Sequence, residues 1–284
     1  NTLPDLDVLP LLLSDDPVLR MTCHRAATHS WLLLPLLAWA LWAFFRRRGG
    51  RVAQAPVRWW WAIFACLMAH PLLDSFTVYG TQLLWPLPLP PIMQGSLFII
   101  DPLFTLPWLL AFGLAWWARA KPLAGRALAA GLVLGSGYLG WSLLAQQMAL
   151  RAAAPVLAAR GLADAPRFAP PMPFNTLLWR VVAMTPDGFV EGERSLPADR
   201  GPMRFRHYPS DTTALSAVAD LPVVQRLAWF NHGFQKAQLR DGALVLSDLR
   251  MGSEPDYSFN FAVARQVGAD WQATKVVRPK GVRK

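Results

Sequence analysis

Long apolar stretches with few charged residues in the first half of the chain constrain its fold more than any other feature. They cover residues 31–45, 59–76, about 101–117 and 128–150, and each is close to the roughly 17–25 residues that a helix needs to cross a bilayer. The whole chain is 54% hydrophobic and 16% charged, with a mean hydropathy of +0.26. Soluble domains of this length are usually less apolar. The pattern therefore predicts an integral membrane protein with about four spans.

A change of pattern after about residue 154 predicts a second domain. Alternating apolar residues flank the turn signals Asp187-Gly188 and Asp241-Gly242, which favours two β-hairpins. Residues 259–267 favour another strand, and residues 212–230 have helical spacing. The predicted fold class is an α-helical integral membrane bundle over residues 1–154, followed by a small α+β soluble domain over residues 155–284. The basic tail from residue 275 is predicted to be disordered.

Basic residues lie in two clusters between the apolar stretches. Because loops rich in Lys and Arg stay in the cytoplasm, both clusters predict cytoplasmic loops of a multi-pass protein in a bacterial inner membrane. The C-terminal domain is then expected on the non-cytoplasmic side. These clusters also account for much of the net charge of +10. Because the basic residues lie beside apolar stretches, membrane lipid is the predicted partner and nucleic acid is not. The sequence does not indicate an oligomeric state. The residues are Arg46, Arg47, Arg48, Arg51 and Arg58 in the first cluster, and Arg119, Lys121 and Arg126 in the second.

The start of the chain and its two cysteines indicate neither a signal peptide nor disulfides. The first residue is Asn1 and no basic segment with a cleavage site precedes the first apolar run, so we expect no signal peptide and a sequence cut short at its N-terminus. Cys23 lies near a predicted helix start and Cys66 inside an apolar run, which makes a disulfide framework implausible. Motifs for phosphate loops, dinucleotide binding, a nucleophile elbow or a CxxC pair are absent from the sequence.

Histidines and aspartates cluster near the predicted outer face. His24, His29 and His70 each lie close to the end of an apolar stretch and near an Asp. Imidazole and carboxylate ligands together suit zinc, manganese or iron. The sequence therefore predicts a divalent metal ion, zinc first, with manganese or iron as alternatives.

Two local spacings sharpen this prediction. His70 and Asp74 are one helical turn apart, and an ionisable pair inside a span needs a partner, a cavity or an ion. A plain hydrogen bond between them is the alternative. His24 and His29 are five residues apart, so on an ideal helix they point in different directions and at least one must lie in a loop.

Other candidates are less specific. Asp5 and Asp7 would point the same way from an extended segment, although solvated loop acids are the alternative. Asp101 precedes Pro102, which suits a helix cap as well as a metal ligand or a catalytic base. Arg25 could hold an anionic substrate group such as phosphate, or pair with a nearby loop acid.

Five motifs of the first half occur in a fixed order: PDLD at 4–7, HRAATHS at 24–30, HPLLD at 70–74, YGTQ at 79–82 and DP at 101–102. The soluble half contains LWR at 178–180 and DLRMG at 248–252. The first five motifs resemble the bacterial predicted membrane-bound metal-dependent hydrolases of the YdjM and YfhP type, and the last two resemble the longer members. Relatives usually begin with a further helix that carries a Thr-His pair near the initiator Met, and that helix is absent from this sequence.

The resemblance implies a multi-span fold, metal dependence and hydrolysis. Taken with the residues, it gives a membrane-bound hydrolase that acts on an ester or phosphoester of a lipid or lipid-linked substrate at the outer face. Arg25 and Asp101 are the candidate catalytic residues. The candidate metal ligands are Asp5, Asp7, His24, His29, His70, Asp74 and Asp101.

Two other functions stay open at this point. A metal or proton-coupled transporter would need polar residues along a path through the bilayer, and the apolar stretches offer few. A non-catalytic membrane scaffold would use its histidines and acids only to satisfy one another. The metal content of the purified protein would distinguish a scaffold, which needs no ion, from a metal-dependent enzyme.

Overall fold

A computed structural model describes residues 2–119, 121–268 and 270–279. Most of the helices begin with proline in their first turn, where its missing N–H costs no hydrogen bond. Asp16, Asp101 and Asp211 each cap the helix that follows them, because their side-chain oxygens accept from its first N–H groups. Short 3-10 helices cover Pro4–Asp7 and Ala27–His29. The α-helices are α1 Val8–Leu11, α2 Pro17–Cys23, α3 Leu34–Arg47, α4 Gly50–Gln54, α5 Pro56–Ser75, α6 Pro102–Ala118, α7 Pro122–Ala159, α8 Thr212–Ala217 and α9 Pro222–Asn231.

The strands form two antiparallel four-stranded sheets and a short two-stranded ladder. The strands are β1 Arg167–Phe168, β2 Leu178–Thr185, β3 Gly188–Ser195, β4 Phe205–Pro209, β5 Gln235–Arg240, β6 Ala243–Asp248, β7 Gly252–Ser253, β8 Asp256–Tyr257, β9 Asn260–Val267 and β10 Asp270–Val277. One sheet has the order β1-β2-β3-β4, the second has the order β10-β9-β6-β5, and β7 pairs with β8.

The prediction of a four-span helical bundle is wrong for this structure. Among the described residues, only α7 is by itself long and apolar enough to cross a membrane. Pro17–His29 and Leu34–Arg47 meet the same criteria as a pair, but a bend of 57° separates them. A large part of the chain is β-sheet instead, and the helices do not support a multi-pass topology.

The reason is that three of the four apolar helices are too short or too polar to cross a membrane on their own. Helix α3 has 14 residues and α6 has 17, so at 1.5 Å per residue they rise about 21 and 25 Å, short of a hydrocarbon core of about 30 Å. Helix α5 has 20 residues but contains His70, Pro71 and Asp74. Helix α7, by contrast, continues beyond the predicted end at residue 150 to Ala159.

Chain contacts divide the structure into two compact units. The second unit is Gly95–Pro209. Its core forms where one face of α7, including Ala149 and Leu157, packs against Trp179 and Val181 of β2. At the other end of α7, Gly131 and Gly135 leave room for Ala111 and Trp108 of α6, in keeping with close packing at small residues.

The first unit joins Asn1–Gln94 to Ser210–Lys284. Leu34 and Ala38 of α3 pack against Leu67 of α5 in one apolar cluster. A second cluster unites α2, α9 and the sheet β10-β9-β6-β5, and it includes Met21 and Phe230. Helix α2, which ends directly before His24, therefore shares a core with the C-terminal strands.

The C-terminal region contains the two hairpins and the strand that the sequence predicts. The hairpins β2–β3 and β5–β6 and the strand β9 are present, which confirms those three predictions. The predicted helix is two helices, because Pro222 begins α9. Residues 275–277 belong to β10, so the prediction of disorder is wrong there; residues 280–284 lie outside the described residues. The predicted domain boundary after residue 154 falls inside α7 and stays a prediction.

Candidate metal centre

Four side chains that end in a carboxylate oxygen or an imidazole nitrogen converge in the first unit. Asp5 comes from the 3-10 helix Pro4–Asp7, and His29 comes from the 3-10 helix Ala27–His29. His70 and Asp74 lie one turn apart on α5. One ligand atom from each of the four lies within 4.8 Å of the others. We call these four residues the metal group.

Imidazole nitrogens and carboxylate oxygens alternate around the metal group. Nε2 of His29 lies 3.3 Å from Oδ1 of Asp5 and 3.2 Å from Oδ2 of Asp74. Nε2 of His70 lies 3.2 Å from the same Asp5 oxygen and 3.4 Å from the same Asp74 oxygen. These four atoms form a closed ring in which each nitrogen has two carboxylate oxygens as neighbours.

The spacing in this four-atom ring fits a shared divalent ion. Two atoms that bind one tetrahedral zinc ion at about 2.0–2.1 Å lie about 3.3 Å apart, close to the spacing along all sides of the ring. Nε2 of His29 and Oδ2 of Asp74 are also buried, and although they lie 3.2 Å apart, neither atom has a partner in hydrogen-bonding geometry among the residues that the structure describes. Such atoms carry a free-energy cost, which a bound cation would remove.

Access to the metal group is from the side of Asp5. The Asp5 side chain is 41% exposed, whereas that of His29 is 0% exposed. His70 and Asp74 lie between these extremes, each at 16%. The group therefore has a closed inner wall and an open rim, as a site that admits a small group from outside requires.

Thr28 sets the direction of the His29 ring. Its hydroxyl donates to Oδ2 of Asp7 at 3.0 Å and lies 3.0 Å from Nδ1 of His29. Because a hydroxyl has one proton and a carboxylate can only accept, the hydrogen-bond pattern assigns the other hydrogen to Nδ1 of His29. Nε2 is then left with a lone pair toward the metal group, which is the form of histidine that binds metals.

Asp7 organises the turn beside the metal group. Oδ1 lies 2.9 Å from Nδ1 of His24, and Oδ2 accepts from the backbone N–H of Arg25 as well as from Thr28. Burial raises the pKa of Asp7, but the hydrogen bond and charge of His24, together with the other two donors, outweigh burial and hold the pKa below its ordinary value. Asp7 and His24 thus form a pair next to the metal group. Their ligand roles stay predictions.

Arg25 is buried on the other side of Asp74. Its Nη1 donates to the hydroxyl of Thr77 at 3.1 Å, and its Nη2 lies 3.3 Å from Oδ1 of Asp74. Its guanidinium also covers the Tyr79 ring at 5.1 Å from the ring centre. Arg25 therefore pairs with the Asp74 oxygen outside the four-atom ring, rather than with a loop acid.

This pairing favours an ionised Asp74. Burial raises the pKa of Asp74, but the contact with His29 and the charges of Arg25 and His70 outweigh burial and leave the pKa lowered. An ionised carboxylate is the form that binds a cation.

Asp101 is placed in the second unit. Its Oδ1 accepts from the N–H groups of Leu103 and Phe104 and so caps α6, as the helix-cap alternative predicts. Its Oδ2 accepts from the hydroxyl of Tyr138 at 2.9 Å. A role for Asp101 as ligand or base stays a prediction.

Sequence reasoning missed the residues that support the site from a distance. Arg226 of α9 donates to Thr22 at 2.5 Å and to Cys23 at 3.2 Å, directly before His24. Arg250 donates to the carbonyl of Tyr79 at 3.0 Å. No local pattern links these arginines to the N-terminal motifs. The one available signal is that Arg250 and Tyr79 both lie in motifs that carry the family resemblance.

Comparison with known proteins agrees with that resemblance. A family model described as YdjM inner membrane protein matches residues 1–149, more than half of the chain, and the chain therefore belongs to this family. The family description makes it an inner membrane protein. No curated protein and no solved structure matched the chain.

Proposed function

We propose that this member of the YdjM inner membrane protein family is a metal-dependent hydrolase. The observation that carries the proposal is the four-atom ring of Asp5, His29, His70 and Asp74, with sides of 3.2–3.4 Å. Two buried atoms of that ring have no hydrogen-bond partner among the described residues. A site built only for hydrogen bonding would satisfy its buried atoms.

The donor set favours zinc, with manganese or iron as alternatives. Two imidazoles and two carboxylates suit any of the three ions, and the spacing of about 3.3 Å matches a tetrahedral zinc site. Two ionised aspartates would also balance the charge of a divalent ion. A divalent ion held there would act as a Lewis acid and lower the pKa of water.

The protein's own residues would divide the remaining tasks. Thr28 and Asp7 keep the His29 ring in its metal-binding form, and Arg25 keeps Asp74 ionised and in place. Asp5 forms the open side of the site, where a substrate would enter. Arg25 was predicted to bind a substrate anion; with two partners of its own, it is better suited to position Asp74.

The proposed substrate is an ester or phosphoester of a lipid or lipid-linked molecule at the outer face of the membrane. Arg46 and Arg47 lie at the end of α3 and Arg58 at the start of α5. His29 precedes α3, and His70 and Asp74 lie at the end of α5. The metal group therefore lies at the ends of these two helices that are opposite the arginines.

The first test measures metal in the purified full chain. We expect one divalent ion per chain, its loss in His70→Ala, and its retention in His207→Ala, a matched change of an exposed histidine in the second unit. Folded protein without metal in both zinc-supplemented and manganese-supplemented preparations would contradict the proposal and favour the non-catalytic scaffold.

The second test measures cleavage of ester and phosphoester lipids in vesicles that contain the protein. We expect turnover with the unaltered chain and with His207→Ala, and none with His70→Ala. Stoichiometric metal without turnover of any lipid ester, but with metal flux across the vesicle membrane, would favour the transporter instead.

A further inference from the structure

A proline-rich loop in the first unit presents apolar side chains to its surroundings. It covers residues 84–92, of which four are prolines and none is charged. Leu84, Leu87, Leu89 and Ile92 are 37–50% exposed. A contiguous exposed apolar surface marks a contact with a protein or with a membrane.

Much of the polar backbone of this loop is paired within the protein. The prolines have no N–H, and the N–H groups of Trp85, Leu87, Leu89 and Ile92 each donate to a backbone carbonyl at 2.8–3.1 Å. The carbonyls of Trp85 and Pro91 accept from the side chains of Ser30 and His232. Because fewer polar groups must give up water, this pairing lowers the cost of moving the loop from water into the interfacial region of a bilayer.

A second segment near the N-terminus also exposes apolar side chains. Leu9, Leu12 and Leu13 are 57%, 59% and 88% exposed. The N–H groups of Leu12 and Leu13 donate to backbone carbonyls. Arg20 donates to the carbonyls of Leu12 and Ser14, and so satisfies two acceptors where the turn leaves α1. We call residues 84–92 together with Leu9, Leu12 and Leu13 the apolar rim.

Both parts of the apolar rim attach to the turn that carries His29. Ser30 donates to the carbonyl of Trp85 at 2.6 Å, and the N–H of Gln82 donates to the carbonyl of Arg25 at 2.9 Å. From the other segment, Asp7 accepts from the N–H of Arg25 and from Thr28. The exposed ligand Asp5 lies on that same segment. Hydrogen bonds and short chain segments therefore join the apolar rim to the turn that carries His29 and to the segment that carries Asp5.

We propose that the apolar rim docks into a lipid bilayer, so that the metal group faces the lipid head groups. Three observations favour lipid over a second copy or another protein: the family is one of inner membrane proteins, the 84–92 loop has no charged residue, and four of its five N–H groups donate to backbone carbonyls. The consequence that the substrate arrives from the lipid phase rests on the proposed function. The docking itself does not.

The test is a depth measurement on the full chain in vesicles of phosphatidylethanolamine and phosphatidylglycerol. In a Cys23→Ser, Cys66→Ser background, a fluorophore is attached at Leu87→Cys, at Leu13→Cys and at the matched control Leu239→Cys. Leu239 lies on β5 of the same unit and is 46% exposed, close to the 50% of Leu87. Nitroxide-labelled lipid and aqueous iodide serve as quenchers.

We expect labels at positions 87 and 13 to be quenched several-fold more by lipid nitroxide, and several-fold less by iodide, than the label at position 239. Iodide access equal to that at position 239 would overturn the proposal. Shielding from both quenchers would also overturn it, because that result indicates a protein partner or a second copy. Positions 87 and 13 are labelled in separate variants. If one variant fails to fold, the quenching of the other still tests the proposal.

The same measurement separates this proposal from the proposed function. Repeated on protein treated with a chelator, it reports docking without regard to metal or turnover. Lipid-quenched labels on a protein that binds no metal would support docking and reject the hydrolase. Iodide-accessible labels on a zinc-containing protein would reject docking alone.

Discussion

Nδ1 of His29 lies 3.0 Å from the hydroxyl of Thr28, and that hydroxyl gives its one proton to Asp7. The sequence singled out both Asp7 and His29 as candidate ligands. In the structure they hold different positions: His29 belongs to the metal group, and Asp7 orients it through Thr28. Partners that orient a metal-binding histidine raise its basicity and fix its tautomer.

The first prediction concerns this orienting bond. Thr28→Ala should weaken zinc binding by about 10–100-fold, because Nδ1 of His29 loses its acceptor and the ring its fixed orientation. Thr28→Ser keeps the hydroxyl and should bind within a few-fold of the unaltered chain. Competition with a chromophoric chelator measures the Kd. Equal affinity in the alanine and serine variants would show that Thr28 does not orient the ring.

The second prediction concerns Arg25 and Asp74. With metal removed, Arg25→Ala leaves a largely buried carboxylate unpaired and should lower the free energy of unfolding by about 2–3 kcal/mol, less than for a fully buried pair. Asp74→Asn should offset part of this loss when both changes are combined, because no charge is then stranded. Denaturant unfolding of the four chains measures the coupling. Purely additive losses would contradict the pairing.

The third prediction compares two glycines of α7. A Cβ on Gly135 would overlap the indole of Trp108, whereas a Cβ on Gly137 meets nothing within 4 Å. Gly135→Ala should therefore destabilise the protein by about 1–3 kcal/mol through overpacking. Gly137→Ala should be neutral or stabilising by up to about 1 kcal/mol, since alanine favours helix. Thermal unfolding in one detergent compares them, and a similar response at both sites would refute this packing of α6 on α7.

The fourth prediction concerns a buried pair in the C-terminal part of the first unit. Arg250 donates to both carboxylate oxygens of Asp248 at 2.7–3.2 Å, and both residues are 2% exposed. Arg250→Ala should cost about 3–5 kcal/mol, because it strands a buried charge.

Arg240→Ala is the control for this prediction. Arg240 is half-buried and contacts the side chain of Gln238, so its loss should cost at most about 0.5 kcal/mol. The free energy of unfolding is the readout for both variants. A small loss in Arg250→Ala would mean that water reaches Asp248.

Much of the local structure could be predicted from the sequence. Each apolar stretch contains a helix, and the two hairpins form at the turns that Asp-Gly signals indicate. The number of spans could not be predicted, because apolar composition does not show where a helix begins. Trp31 to Leu33 are apolar but lie in a turn, so α3 begins later than its apolar stretch. Helix α6 begins at Pro102, as the Asp101-Pro102 signal predicts, and its 17 residues are still too few to span a membrane.

The residues of the candidate site could also be predicted from the sequence, but their arrangement could not. All members of the metal group are among the residues that the sequence singled out, because imidazoles and carboxylates beside apolar stretches are uncommon. The expected extended pair of Asp5 and Asp7 is instead a 3-10 helix, which separates the two carboxylates: Asp5 joins the metal group and Asp7 binds His24 and Thr28.

By itself the sequence determined the apolar helices, the hairpin turns, the family and the residue types that a metal site needs, since each of these depends on neighbours along the chain. His70 and Asp74 share a helix face for that reason. Only the tertiary structure decided that Asp5 and His29 join them, that Thr28 and Arg25 hold them, and that arginines of the C-terminal part support the turn. Those contacts join segments distant in sequence, and their approach depends on how whole helices and sheets bury their apolar faces, which no local pattern records.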